Sequence, residues 1–141
     1  MRCEGLRRAC GRFRWWLAAI GALQLAPLVA HAATATKPQE DALKRLLASY
    51  ERAIETKDLD LFRSVKPNLN AEEERRLRKA FESTRNHEVT ITVEALECQA
   101  ARCVARLTRR DTLDGSIVSS FPQTLRLAES AEGLVIDQIG R

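Results

Sequence analysis

The chain has little with which to do chemistry. Its 141 residues include two histidines, one tyrosine, four cysteines and six glycines. No metal-ligand spacing, no glycine-rich phosphate loop and no nucleophile motif occurs anywhere along it. The expectation is therefore no cofactor, no metal and no identifiable catalytic residue. Nothing repeats and nothing is low in complexity, so the chain reads as one domain of ordinary composition.

The first 32 residues differ from the rest. Arg2, Arg7, Arg8, Arg12 and Arg14 stand against the single acid Glu4, and an apolar run follows from Trp15 through Leu23 toward Ala30. The run closes on Val29-Ala30-His31-Ala32, with small residues at the two positions a signal peptidase reads. A basic segment, an apolar segment and a small-residue end describe a secretory signal peptide at 1–32, cut after Ala32 or, failing that, after Ala35. The competing reading is an uncleaved anchor. Trp15 to Ala33 spans 19 residues but contains Gln24, Pro27 and His31, which is marginal against a hydrocarbon core about 30 Å thick. Contact with a membrane is expected only if the leader is retained. The destination is then the periplasm or the exterior.

Removing the leader changes the charge. It takes five of the 23 basic residues and one of the 19 acidic ones, leaving 18 of each. A neutral mature domain gives no reason to expect nucleic acid as a partner. The run Glu72 to Lys79 agrees, because Glu72 lies over Arg76 and Glu74 over Arg78 on a solvated helix.

After a short stretch read as a flexible tail, 33–39, helical periodicity comes first. Leu43, Leu46, Leu47, Tyr50 and Ile54 line one face of a helix from about Pro38 to Thr56, and Thr36 and Gln39 stand at capping-box spacing ahead of it. Asp58 caps a second helix that Pro67 ends, and Asn70 with Glu73 caps a third, with Leu77, Ala80 and Phe81 inward. After Asn86 the period falls to two. Val89, Ile91 and Val93 alternate with polar residues, and then the apolar phase slips to Leu96 and Cys98, which predicts a β-bulge near Glu94 and Ala95. Three strands follow: one from Cys103, a turn at Asp111 to Gly115, one from Ser116 to Ala128, and one through Leu134, Ile136 and Ile139. Pro122 lacks a donor and marks an edge or a further bulge. The expected fold class is α+β, with three N-terminal helices packed on a curved four-stranded antiparallel sheet.

Three stretches carry a family likeness: Tyr50 to Phe62, the bulged strand Ile91 to Cys98, and Gly133 to Ile139. Together they resemble the nuclear transport factor 2-like superfamily, which includes SnoaL-like and polyketide-cyclase-like members. The resemblance implies a cystatin-like cone of sheet closed by helices around a cavity, with the domain at 40–141. The family often begins its last strand with tryptophan, where this chain has Leu134. It contains isomerases, dehydratases and cyclases, so the fold alone does not choose a function.

An enzyme of that shape needs a tuned carboxylate or histidine in its cavity. The inward face reads Val89, Ile91, Val93, Leu107, Phe121, Leu125, Leu134 and Ile136, with Arg109, Ser119 and Gln123 as its polar members. No acid is placed on that face, and His87 at a strand end reads as solvated. Tyr50 lies on the apolar stripe of the first helix with its hydroxyl at the rim. Tyr50, Arg109, Ser119 and Gln123 are thus the candidate binding residues. Arg109 with Gln123 can grip a carboxylate, or Arg109 simply snorkels to water. Cys98 and Cys103 fall on one face across a four-residue loop, where a structural disulfide fits an oxidising compartment better than two buried thiols do.

The sequence thus favours an exported, non-catalytic module that binds a small hydrophobic ligand or a protein partner. The outer face, with Thr90, Thr92, Arg106, Thr108, Thr124 and Arg126, is polar enough for a monomer and for the wet interface of a homodimer. The alternative is a cofactor-independent isomerase- or dehydratase-like enzyme acting on a small hydrophobic molecule.

Overall fold

The structure, a computed structural model, describes residues 33–140. The signal-peptide segment 1–32 lies outside the described residues. Elements run β1 (Ala33–Thr34), α1 (Lys37–Glu55), α2 (Leu59–Val65), α3 (Ala71–Ser83), β2 (His87–Gln99), β3 (Arg102–Leu113), β4 (Ser116–Ser130) and β5 (Gly133–Gly140). The class is α+β, with the helices ahead of the four long strands.

The helix starts follow the sequence signals. Gln39 Oε1 accepts the Thr36 N–H at 2.9 Å, and Asp58 accepts the Leu61 N–H at 2.9 Å. Asn70 accepts from Glu72 and Glu73, while Glu73 reaches back to the Asn70 N–H at 3.1 Å. Each cap satisfies donors that a helix N-terminus otherwise leaves bare. On α3, Arg76 pairs with Glu72 and Arg78 with Glu74. Phe81 is buried there and Leu77 half-buried, but Ala80 is exposed rather than inward.

The sheet is an antiparallel meander in the order β1-β2-β3-β4-β5. Its fifth member comes from the stretch 33–39, read above as a tail: Ala33 pairs with Cys98 and Thr34 with Glu97, and α1 begins at Lys37. The β2–β3 register shifts between Val93 and Ala95, so the expected bulge is present. β5 reaches as far as Thr124 among the described residues, and Pro122 lies past that pairing, consistent with its missing donor.

Two further placements differ from the sequence reading. Val93, expected inside, is 41% exposed, because the bulge carries it to the margin of the sheet. The turn expected over Asp111 to Gly115 is tighter. Asp114 and Gly115 take φ of 49° and 82°, which suits a two-residue hairpin, and β3 continues through Asp111 to Leu113.

The core forms between α1 and the sheet. Leu43, Leu47, Tyr50 and Ile54 from the helix meet Leu107, Leu125, Leu127 and Ile136 from the strands, all nearly free of solvent. Burying each such side chain contributes roughly 1.5–3 kcal/mol before conformational entropy opposes it. Cys98 and Cys103 face each other at the far end of this core with their sulfurs 2.06 Å apart.

Candidate functional site

The extra strand length at Asp111 changes what the interior contains. Asp111 pairs with Val89 on one side and Ser119 on the other and turns inward, only 8% exposed. The expectation that no acid shares the inner face is therefore corrected. The tight Asp114–Gly115 turn keeps Asp111 in the strand alternation that a longer turn would have ended.

Around this carboxylate the structure gathers all four predicted binding residues. Arg109 donates to Asp111 Oδ1 from Nε at 3.0 Å and from Nη2 at 2.7 Å. Its third donor, Nη1, reaches the Tyr50 hydroxyl at 2.8 Å. Ser119 donates to Asp111 Oδ2 at 3.3 Å. Gln123 is buried beside Tyr50, with Oε1 unpartnered among the described residues. The guanidinium also lies 5.7 Å from the Tyr50 ring centre and 6.0 Å from that of Phe121, close enough for cation–π attraction.

His87, read as solvated, joins the cluster. Its Nε2 is 2.8 Å from Asp111 Oδ1, and its side chain is 16% exposed. Sequence spacing could not find this pair, since residues 24 apart meet only through the β2–β3 register.

The electrostatics are those of a closed set. Burial pushes the Asp111 carboxyl upward, but hydrogen bonds from Arg109 and His87 and the Arg109 charge outweigh it, and the carboxyl ends below its ordinary range. Burial drives the Tyr50 phenol up, and Asp111 adds to this against the opposing Arg109, so the hydroxyl stays protonated. Arg109 thus grips a carboxylate, as its fork predicts, but the carboxylate is the protein's own. An incoming anion would have to displace Asp111.

A different arrangement lies along the free side of β2. Glu55 accepts the Val89 N–H at 3.2 Å, and Glu51 accepts the Ile91 N–H at 2.9 Å, so the last turns of α1 cap this sheet edge. Burial pushes the Glu51 carboxyl up; the Ile91 N–H opposes the shift and the neighbouring Glu55 charge adds to it. Toward the start of α1 the contact opens into a cleft of about 540 Å³, floored by Ala35, Leu43, Ala95 and Leu96 and rimmed by Glu40, Lys44, Glu94 and Glu97. None of the Asp111 cluster lines it.

Among the described residues no three His, Cys, Asp or Glu side chains converge as a metal site, and no helix is long and apolar enough to cross a membrane. No protein-family model and no curated protein matches the chain. Among solved structures it is similar to Bd1075 of Bdellovibrio bacteriovorus, with a TM-score of 0.61 and 14% identity over 74% of this chain and 42% of that one. It is also similar to the Kfla4162 protein from Kribbella flavida, with a TM-score of 0.54 and 14% identity over 72% of this chain and 88% of that one. This chain thus spans less than half of the Bd1075 chain it matches. At such identities the likeness establishes the α+β fold and no activity.

Proposed function

We propose that this protein is an exported, non-catalytic binding module of the nuclear transport factor 2-like kind, and that its ligand occupies the cleft between α1 and the bulge of β2. One observation carries the reading: the inward acid is consumed by internal partners, whereas the open apolar surface lies elsewhere. Asp111 is gripped by Arg109, His87 and Ser119, so this acid is engaged away from the cleft, whose lining takes nothing from that cluster. The bulge presents Val93 and Ala95 to solvent-accessible space instead. Export is supported by the basic-apolar leader and by the Cys98–Cys103 geometry, which an oxidising compartment favours.

The test is titration of the full chain with a neutral apolar dye such as Nile red, alongside Ala95→Trp, which fills the cleft. Dye binding that falls about tenfold or more in the variant, an affinity change of about 1.4 kcal/mol, supports the reading. Binding indifferent to Ala95→Trp overturns it.

The His87–Asp111 contact favours a second reading, an acid–base enzyme, since a carboxylate that orients an imidazole is a familiar catalytic pairing. Amide NMR shifts induced by a set of small neutral ligands separate the two. Changes centred on Val93 to Glu97 belong to the cleft, and changes centred on His87 and Ser119 belong to the enzyme.

A further inference from the structure

The cleft contains a stretch of unprotected sheet edge. Val89 and Ile91 turn their N–H groups away from β3, and Glu55 and Glu51 accept them there. In an antiparallel strand the peptide groups of alternate residues face the same side. Val93, the next in the series and the last before the register shift, therefore directs its N–H outward along the same edge. No α1 carboxylate accepts this N–H among the described residues, because the helix has by then drawn back to open the cleft. Farther along, β1 covers Glu97 and Cys98. Between the Glu51 cap and β1 the edge from Thr92 to Leu96 is paired by no strand among the described residues, room for about five residues of extended chain at about 3.3 Å each.

The rim adds a charge preference. Glu40, Glu94 and Glu97 face one lysine, Lys44. Lys37 lies 4.0 Å from Glu40, and Arg106 lies 2.5 Å from Glu97. Glu94 has only the Thr108 hydroxyl and no cation beside it among the described residues. The bulge thus sets an uncompensated carboxylate next to an outward N–H that no side chain accepts among the described residues, above an apolar floor.

We propose that the cleft receives an extended segment of a partner protein, apolar at its centre and flanked by lysine or arginine, which pairs with the Val93 peptide group as an added strand. This rests on the cleft being the binding site. Backbone pairing supplies affinity, and the floor and the Glu94 carboxylate supply selectivity, as in other cases of strand addition. A neutral or acidic segment would leave Glu94 uncompensated against the bound chain.

The test measures binding of two fluorescent, end-blocked pentapeptides to the full chain by anisotropy at low salt: Lys-Val-Thr-Val-Lys and Glu-Val-Thr-Val-Glu. The basic peptide should bind about tenfold or more tightly than the acidic one, and Glu94→Lys should erase or invert that preference. Val93→Pro removes the outward N–H but no β3 ladder bond, a substitution that sheet edges tolerate. It should weaken the basic peptide about tenfold while the thermal midpoint stays within a few degrees. Should Val93→Pro unfold the domain, Glu94→Lys decides alone. Equal binding of the two peptides, no binding of either, or a preference unchanged in Glu94→Lys overturns the proposal. Peptide failure with dye binding intact removes the strand and keeps the cleft, whereas loss of dye sensitivity to Ala95→Trp removes both.

Discussion

Carboxylates do opposite work in two parts of this domain. On the inner face Asp111 is surrounded by donors from β2, β3 and β4, and its neighbours hold the carboxyl below its ordinary range. On the β2 edge Glu51 and Glu55 sit one helical turn apart, each with a single backbone donor, and Glu51 is held above its range. The Asp111 carboxylate has donors at both of its oxygens, while Gln123 Oε1 beside Tyr50 has no partner among the described residues. The Glu51 and Glu55 pair is satisfied thinly, and the protection stops where the cleft begins. A buried carboxylate held by the protein's own donors is already engaged and offers little to an incoming group.

The comparison breaks most visibly at Asp111. Asp111→Ala leaves the Arg109 guanidinium with an uncompensated charge in a largely buried site, and chemical denaturation should show a loss of about 3 kcal/mol or more. Replacing both partners, Arg109→Met with Asp111→Leu, should recover much of that loss if the cluster is structural. A double variant as unstable as the single one would mean the cluster does more than hold the fold.

Next in size is the covalent link. Cys98→Ala with Cys103→Ala should cost about 2 kcal/mol, at the low end of the usual range because the closed loop is short. Thermal melts of the oxidised and reduced wild type should differ by a matching amount. No difference would place the two sulfurs unbonded in solution.

The pH dependence sharpens the contrast. The folded Asp111 carboxyl titrates below its unfolded value, so its stabilisation is complete above about pH 4 and disappears as the pH falls through the folded value. Asp111→Asn should flatten the acid limb of the stability curve. Glu51 has the reverse sign. Its folded pKa is raised, so ionisation there opposes folding at neutral pH and ceases to do so as acid protonates it. Glu51→Gln should therefore stabilise the domain at neutral pH by a few tenths of a kcal/mol through relief of the like-charge pair with Glu55. That small gain should shrink under acid, and a loss instead would mean the charged Ile91 contact matters more than the repulsion.

Much of this layout was written in local patterns. Helix starts were legible because Thr36, Asp58 and Asn70 are caps whose partners lie two or three residues away. The bulge was legible because a strand whose apolar alternation slips by one residue keeps a single inner face only by absorbing an extra residue. Cys98 and Cys103 followed from the same register. The four polar residues converged because strand alternation sets the face of Arg109, Ser119 and Gln123, and the helical stripe of α1 sets that of Tyr50. What escaped depended on one turn. Asp111 looked like a turn residue, and only the backbone at Asp114 and Gly115 shows the hairpin closing two residues later. His87 then escaped with it, since its partner was assigned elsewhere. The α1 caps on β2 could not be read at all, because they join residues 34 and 40 positions apart through a packing angle that no local signal encodes.

The smallest element has a mechanical consequence. A load applied to the chain at Ala33 enters the domain through two residue pairs, one of them to Cys98. Cys98 is tied to Cys103, so that force passes sideways into β3 and spares the hairpin tip. The part that yields first is then β1 itself, together with the Ala35 side of the cleft that follows it. Tension along the chain would widen the groove before it disturbed the core.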